Sequence, residues 1–301
     1  MAVATLVPTG VGIHNILIAS DFSHHSDAAI RYGLAFAGFY GAHAEITYVM
    51  PAEEFVLAGP DGLQVAREAA RRDLLEFKTR LRRMGHPLEE GDLRVSMIEG
   101  PVADTLLGCA REKNVDLIVV GTHGRGGLGK VILGSVAEKI FRQSPVPVLT
   151  VGPHTQNPGQ VAETPHILAP CDLTPRSHRA LTLACTLAAA QNSKLTVLHV
   201  IDQISEGVKV DPDRIRRGIV TRLQEIVGRH AECAQVQYRV EFGNVAAMIL
   251  KTASETSSNL IVLGVRRSSG VLDRFMWPIA YDLVREASCP VLTVRCNAAA
   301  Q

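Results

Sequence analysis

The second half of this 301-residue chain repeats the first, and that duplication limits its possible folds more than any other feature. A shift of 143 positions lays Gly100–Val151 without a gap on Gly243–Val294, so that Gly121 meets Gly264 and Ala137 meets Ala280. The run Pro147-Val148-Leu149-Thr150-Val151 likewise falls on Pro290-Val291-Leu292-Thr293-Val294. Self-similarity of this kind marks a duplicated unit, and the length suits two domains of ordinary size, each with its own core. Between the copies lies a stretch rich in Gly, Pro, Thr and Gln, which reads as a linker. The expected organisation is a first domain over residues 1–152, a linker over 153–165 and a second domain over 166–301.

Within each copy, short apolar runs alternate with longer amphipathic ones. In the first, Ile13–Ala19, Glu45–Val49, Arg94–Ile98, Asp116–Val120 and Val146–Val151 read as strands. Ser26–Phe39, Leu63–Met84, Val102–Lys113 and Ser135–Arg142 read as helices between them. The second copy runs through strands at His166–Pro170, Lys194–Val200, Gln235–Glu241, Leu260–Gly264 and Pro290–Arg295, with helices at Ser177–Ala190, Pro212–Glu232 and Val245–Thr256. Uncharged β-branched runs such as Leu117-Ile118-Val119-Val120 belong in a parallel sheet covered on both faces. The expected fold is α/β: two tandem doubly wound domains, each a mostly parallel five-stranded sheet with helices on both faces.

The candidate site is the turn that follows Val120. Gly121, Gly124 and Gly134 remove Cβ atoms where the chain leaves a strand and enters a helix, so the backbone can approach a ligand closely. A helix beginning near Ser135 points free N–H groups and the positive end of its dipole at that turn, which suits phosphate. The Ser135 hydroxyl can either cap the helix or donate to a phosphate oxygen. Arg125 and Lys130 lie in the same loop, where a phosphate contact and simple solvation are both open to a cation. The string Gly124 to Lys130 fits the P-loop pattern, but Val131 stands where a P-loop needs a magnesium-binding hydroxyl.

The spacing G-x2-G-x9-G-S, formed here by Gly121, Gly124, Gly134 and Ser135, resembles that of the ATP-binding members of the universal stress protein family. The resemblance covers nearly the whole chain, in the tandem form with two family domains, and implies a fold similar to adenine nucleotide alpha hydrolases. It implies that Asp21, just after the first strand, meets the ribose, against the plainer reading of a helix cap. It also implies backbone or apolar contacts to the base from Ala44 and Val120, a lining that includes Ala19 and Val136, and magnesium carried with the triphosphate. Ala19 stands where many family members have proline. The same resemblance suggests that the final strands of the halves dock as an intramolecular pseudo-dimer, leaving a homodimer of tandem chains open.

The second copy departs from the motif. Its counterparts of the four positions are Gly264, Arg267, Trp277 and Pro278, so three of the four are replaced, although Asp172 survives after its first strand. ATP is therefore expected in the first half only, with no ligand assigned to the second. Acidic and basic residues nearly cancel, at 30 against 31, which argues against a nucleic-acid partner. No long apolar run suggests a membrane span, and six cysteines without a C-x-x-C pair fit reduced thiols in a cytoplasm. Adjacent His24 and His25 lack the spacing of a metal site. No motif places a general base, so the leading expectation is an ATP-binding regulatory or stress-response factor with at most slow ATP hydrolysis. A weak ATPase or related ATP-cleaving enzyme is the alternative, and an interaction protein with incidental nucleotide is the second.

Overall fold

The computed structural model describes residues 12–51, 59–86, 88–89, 91–122, 133–155, 165–174, 177–202, 211–228, 235–266 and 276–296. The chain divides into two compact units after Val151. In the first unit the order is β1 (Asn15–Ala19), a 3-10 turn (His24–Ser26), α1 (Asp27–Tyr40), β2 (His43–Met50), α2 (Gly59–Met84) and β3 (Leu93–Glu99). Then come α3 (Val102–Glu112), β4 (Leu117–Gly121), α4 (Ser135–Gln143) and β5 (Val148–Val151). The second unit has β6 (His166–Pro170), α5 (Ser177–Ala190), β7 (Lys194–Ile201), α6 (Pro212–Val227) and β8 (Val236–Phe242). It continues with α7 (Val245–Glu255), β9 (Leu260–Arg266), α8 (Met276–Glu286) and β10 (Val291–Cys296).

The strands of the first unit lie in the order β3-β2-β1-β4-β5, all parallel, with Ile16 opposite both Ala44 and Leu117. Those of the second repeat it as β8-β7-β6-β9-β10, again parallel. The expected doubly wound sheets are therefore present in both halves. The alternation of side chains along β1 shows how both faces are covered. Leu17 joins Ile118, Val120 and Val148 against Leu106, Ala110, Ala137 and Ile140 of α3 and α4, in one buried apolar cluster. On the opposite face Ile18 meets α1 so closely that a Cβ at Gly33 would lie 2.6 Å from its Cδ1, which only glycine avoids.

The connections differ in length between the units. The second long helix, α6, is ten residues shorter than the 26-residue α2. The α2 helix starts at Gly59, several residues before the expected Leu63, because Pro60 needs no N–H in a first turn and Asp61 suits its dipole. The helix α8 has no counterpart among the helices expected for the second half. Among the described residues no helix is long and apolar enough to cross a membrane.

Candidate functional site

From β1 the chain builds outward through β2 and β3, then returns to place β4 on the other side of β1. Strand order therefore reverses between β1 and β4, and a crevice opens beyond their carboxyl ends, Ala19 and Gly121. Thr122 joins the end of β4 to the start of α4. Its N–H donates to the Val151 carbonyl at 3.2 Å, and its carbonyl accepts from Gly134 N–H at 3.0 Å. Gly121, Gly134, Ser135 and Val136 are thereby brought to one place. Gly124 and Arg125, with His123 and Lys130, lie outside the described residues.

The start of α4 corrects one expectation. Ser135 is the first helical residue, and the cap position belongs to Gly134 (φ −60°, ψ 150°), which offers no side chain. The exposed Ser135 hydroxyl is therefore not the cap, and it is left at the mouth of the crevice. The first bond within the helix runs from Glu138 N–H to the Gly134 carbonyl at 2.8 Å. By helix geometry the N–H groups of Ser135, Val136 and Ala137 then have no partner within α4, and the cap residue Gly134 offers them no side chain. The arrangement is an anion-ready helix end.

Beneath it the floor is apolar. Ala19, Leu133 and Val136 pack against the cluster that contains Val49, Val120 and Ala137. Ala44 does not take part. It is the second residue of β2, buried and paired with Ile16 and Leu93, whereas Ala19 at the end of β1 is level with Thr47. In a parallel strand this puts Ala44 about 10 Å back toward the amino ends, away from the crevice. The residue that the carboxyl end of β2 contributes is Val49, and a strand running to Met50 rather than Val49 is the signal that points to it.

Asp21 sits at the rim but caps no helix, contrary to the plainer reading of it. Its Oδ1 accepts from Ser23 N–H at 3.0 Å and from Ser23 Oγ at 2.7 Å, forming a tight local turn before the 3-10 segment. Phe22 within that turn has φ 61°, a left-handed backbone that a bulky residue holds only when its surroundings fix it. Its ring stacks on Phe77 at 4.6 Å and tilts against Tyr48 at 5.0 Å. Arg80 Nη2 donates to its carbonyl at 2.7 Å, and Ser20 Oγ accepts from its N–H at 3.0 Å. Thus α2, through Phe77 and Arg80, holds the turn that presents Asp21. His24 Nδ1 lies 3.1 Å from Asp27 Oδ2, and among the described residues no three His, Cys, Asp or Glu are grouped to hold a metal.

The second unit keeps this turn and alters the helix. Asp172 Oδ1 accepts from Thr174 N–H at 3.0 Å and from Thr174 Oγ1 at 2.7 Å, with Leu173 at φ 62°. Asp172 too is a turn residue and not a helix cap. The helix α8 begins at Met276, two residues before the position that matches Ser135. Pro278 therefore stands inside the first turn, not at the helix start, and Arg267 lies outside the described residues. The site is not simply lost, however, because a cavity of about 150 Å³ remains at the carboxyl ends of β6, β7 and β9.

Comparison with known proteins identifies the family and the fold. The sequence model of the Universal stress protein family matches residues 12–152 and again 163–295. A universal stress protein of Mycolicibacterium smegmatis is 24% identical over 294 residues, which cover 94% of this chain and 97% of that protein. One of Methanocaldococcus jannaschii is 31% identical over 139 residues, 45% of this chain and 80% of its own. The crystal structure of a universal stress protein from Archaeoglobus fulgidus aligns with a TM-score of 0.68 at 19% identity, over 94% of this chain and 96% of that one, a likeness of fold.

Proposed function

This chain belongs to the universal stress protein family, as two of its domains in tandem, and on that premise we propose that it is a nucleotide-dependent regulatory protein whose first domain alone holds ATP. The observation that carries the reading is the start of α4, where a glycine cap leaves three helix N–H groups without partners within the helix, beside the end of β4. In this reading Gly121, Gly134, Ser135 and Val136 surround the phosphates, with Gly124 and Arg125 added by the motif. The apolar floor of Ala19, Val49 and Val120 takes the base, and Asp21 accepts from the ribose hydroxyls. Magnesium would be carried by phosphate oxygens, since this ion keeps several waters and needs no protein cage. None of these residues is placed as a general base, so any hydrolysis is slow and the bound nucleotide sets conformation or partner choice.

Calorimetric titration of ligand-stripped protein with ATP and magnesium tests this. One ATP per chain is expected. A stoichiometry of two, or no binding, overturns the proposal, and steady phosphate release on the timescale of an ordinary enzyme would favour an ATP-cleaving activity.

A further inference from the structure

We propose that the outer face of α2 is a docking surface for an acidic segment of a partner protein, one that carries a bulky apolar residue among its carboxylates. The helix turns Ala70, Phe77 and Leu81 inward, all of them buried. Helical geometry then sets Arg71, Arg72, Leu75, Lys78, Arg82 and Arg83 round its outer side, all of them exposed. The exposed large apolar side chains among the described residues, Val65 and Leu75, both stand on this helix, and Leu75 is 65% exposed. Neighbours on a helix surface lie three and four residues away, so Arg71, Arg72 and Lys78 flank that leucine.

The helix dipole accounts for Arg82 and Arg83 in the last turn. It does not account for Arg71, Arg72 and Lys78, which lie earlier. The counterpart helix α6 supplies the contrast. It is also rich in arginine, but Arg216 pairs with Asp213 at 3.3 Å and Arg222 with Glu225 at 2.8 Å. On α2, Arg72, Lys78, Arg82 and Arg83 make no ion pair among the described residues, and Glu99, whose charge also reaches Arg71, is held by Arg67 at 2.8 and 2.9 Å. Glu68 and Glu76 on the same side are outnumbered by these cations, and Glu68 accepts from Gln64 at 3.1 Å.

The excess charge asks for an anionic partner, and Leu75 selects its class. A phosphate backbone gives a leucine nothing to bury against, whereas an acidic polypeptide can supply both carboxylates and an apolar side chain. A membrane surface would need a broad apolar face, and α2 has turned that face inward. From position 71 to position 83 the stripe runs about 18 Å, which a partner helix of about twelve residues would cover.

The test titrates the full chain, with labelled backbone amides and at low salt, with a helical peptide of about twelve residues built from glutamate and alanine around one central leucine. The same peptide with serine at its centre and a short DNA duplex are the comparison probes. The leucine peptide should shift the amides of residues 71–83 saturably and bind about three- to tenfold more tightly than the serine peptide. Raising the salt to about 0.3 M should weaken it. Arg72→Glu with Lys78→Glu should weaken it about tenfold or more with the melting temperature unchanged, and Arg82→Glu with Arg83→Glu serves as the second pair if the first does not fold. Leu75→Ser should make the two peptides equal. The proposal is overturned by the absence of saturable shifts at 71–83, by binding undiminished in both charge-reversed pairs, by equal affinity for the two peptides in the unaltered chain, or by tighter binding of the DNA duplex than of the leucine peptide.

Discussion

The first strands of the two domains end in the same aspartate turn, down to a left-handed residue at Phe22 and Leu173, but their last helices begin differently. In the first domain α4 starts immediately after an uncapped glycine held to the Thr122 carbonyl. In the second, α8 extends two residues further back, and its matched positions carry Trp277 and Pro278. The sheet and the aspartate turn are thus properties of the fold, inherited by both copies. Readiness for an anion is a property of one helix start. A survey of the aspartate alone would rank the two domains as equals.

The comparison is broken most severely by importing the second domain's residue into the first. Gly134 has a backbone that any residue can adopt, and an added Cβ would lie 3.4 Å from the Thr122 carbonyl, an ordinary contact. Gly134→Trp should therefore fold and lose about a hundredfold or more in ATP affinity, roughly 3 kcal/mol or above, by calorimetry. The converse exchange, Trp277→Gly with Pro278→Ser, should not raise the stoichiometry above one, because α8 begins in the wrong place. A second ATP in that variant would show that residue identity, not helix position, decides.

Ser135→Pro comes next. Proline suits a first helical position, so stability should hold while the lost hydroxyl and N–H weaken ATP about ten- to a hundredfold. Undiminished binding would remove α4 from the site.

Asp21→Asn sharpens the comparison further, since an asparagine oxygen can still accept from Ser23 and keep the turn. About a tenfold loss of ATP affinity is expected, with inorganic triphosphate bound as before, whereas Asp172→Asn should change neither. If both variants bind ATP normally, the carboxylate of Asp21 serves the fold alone.

The smallest effect concerns the amino ends of the sheets, where the domains again differ. In the second, the buried His166 hydrogen-bonds Thr196 Oγ1 at 2.8 Å, and burial, helped by Lys194, holds its pKa below the ordinary 6.5. The unfolded chain then binds the proton more readily, so this contribution is lost as pH falls below about 6.5. In the first, burial raises the Glu45 carboxyl, but hydrogen bonds from Lys113, at 2.7 Å to both oxygens, and from Ser96 outweigh it and leave the pKa below 4.5. That contribution persists until pH falls below about 4.5. Acidification should weaken the second domain before the first, seen as earlier loss of amide protection in β6 than in β2 after correction for intrinsic exchange. The reverse order would contradict it.

Much of this was legible in the sequence, because its strongest signals are local. The β-α alternation and the duplication name the fold, and Gly121 and Gly134 bracket the site without knowledge of the loop between them. What escaped depends on register or on volume. Ala44 rests on the resemblance alone, and the register that sets Ala19 level with Thr47 leaves it near the amino end of β2. Asp21 and Asp172 resemble helix caps in sequence, and only the positive φ of the next residue turns their carboxylates onto Ser23 and Thr174. The cavity of the second domain has no motif, since it arises where side chains from β7, β9, α7 and α8 fail to fill a space.

The position of β1 also sets a clock. Its neighbour β4 lies about a hundred residues further along the chain, as the pairing of Ile16 with Leu117 shows, and β6 waits almost as long for β9. At a synthesis rate of about 5 to 20 residues per second, a newly made β1 waits roughly 5 to 20 seconds for β4, with at most β2 beside it. For that interval Leu17 and Ile18, fully buried in the finished sheet, have one flank open. The first domain has all its strands once Val151 has been made, before β6 exists. Duplication thus gives the chain two such vulnerable periods on the ribosome, one in each half and taken in sequence.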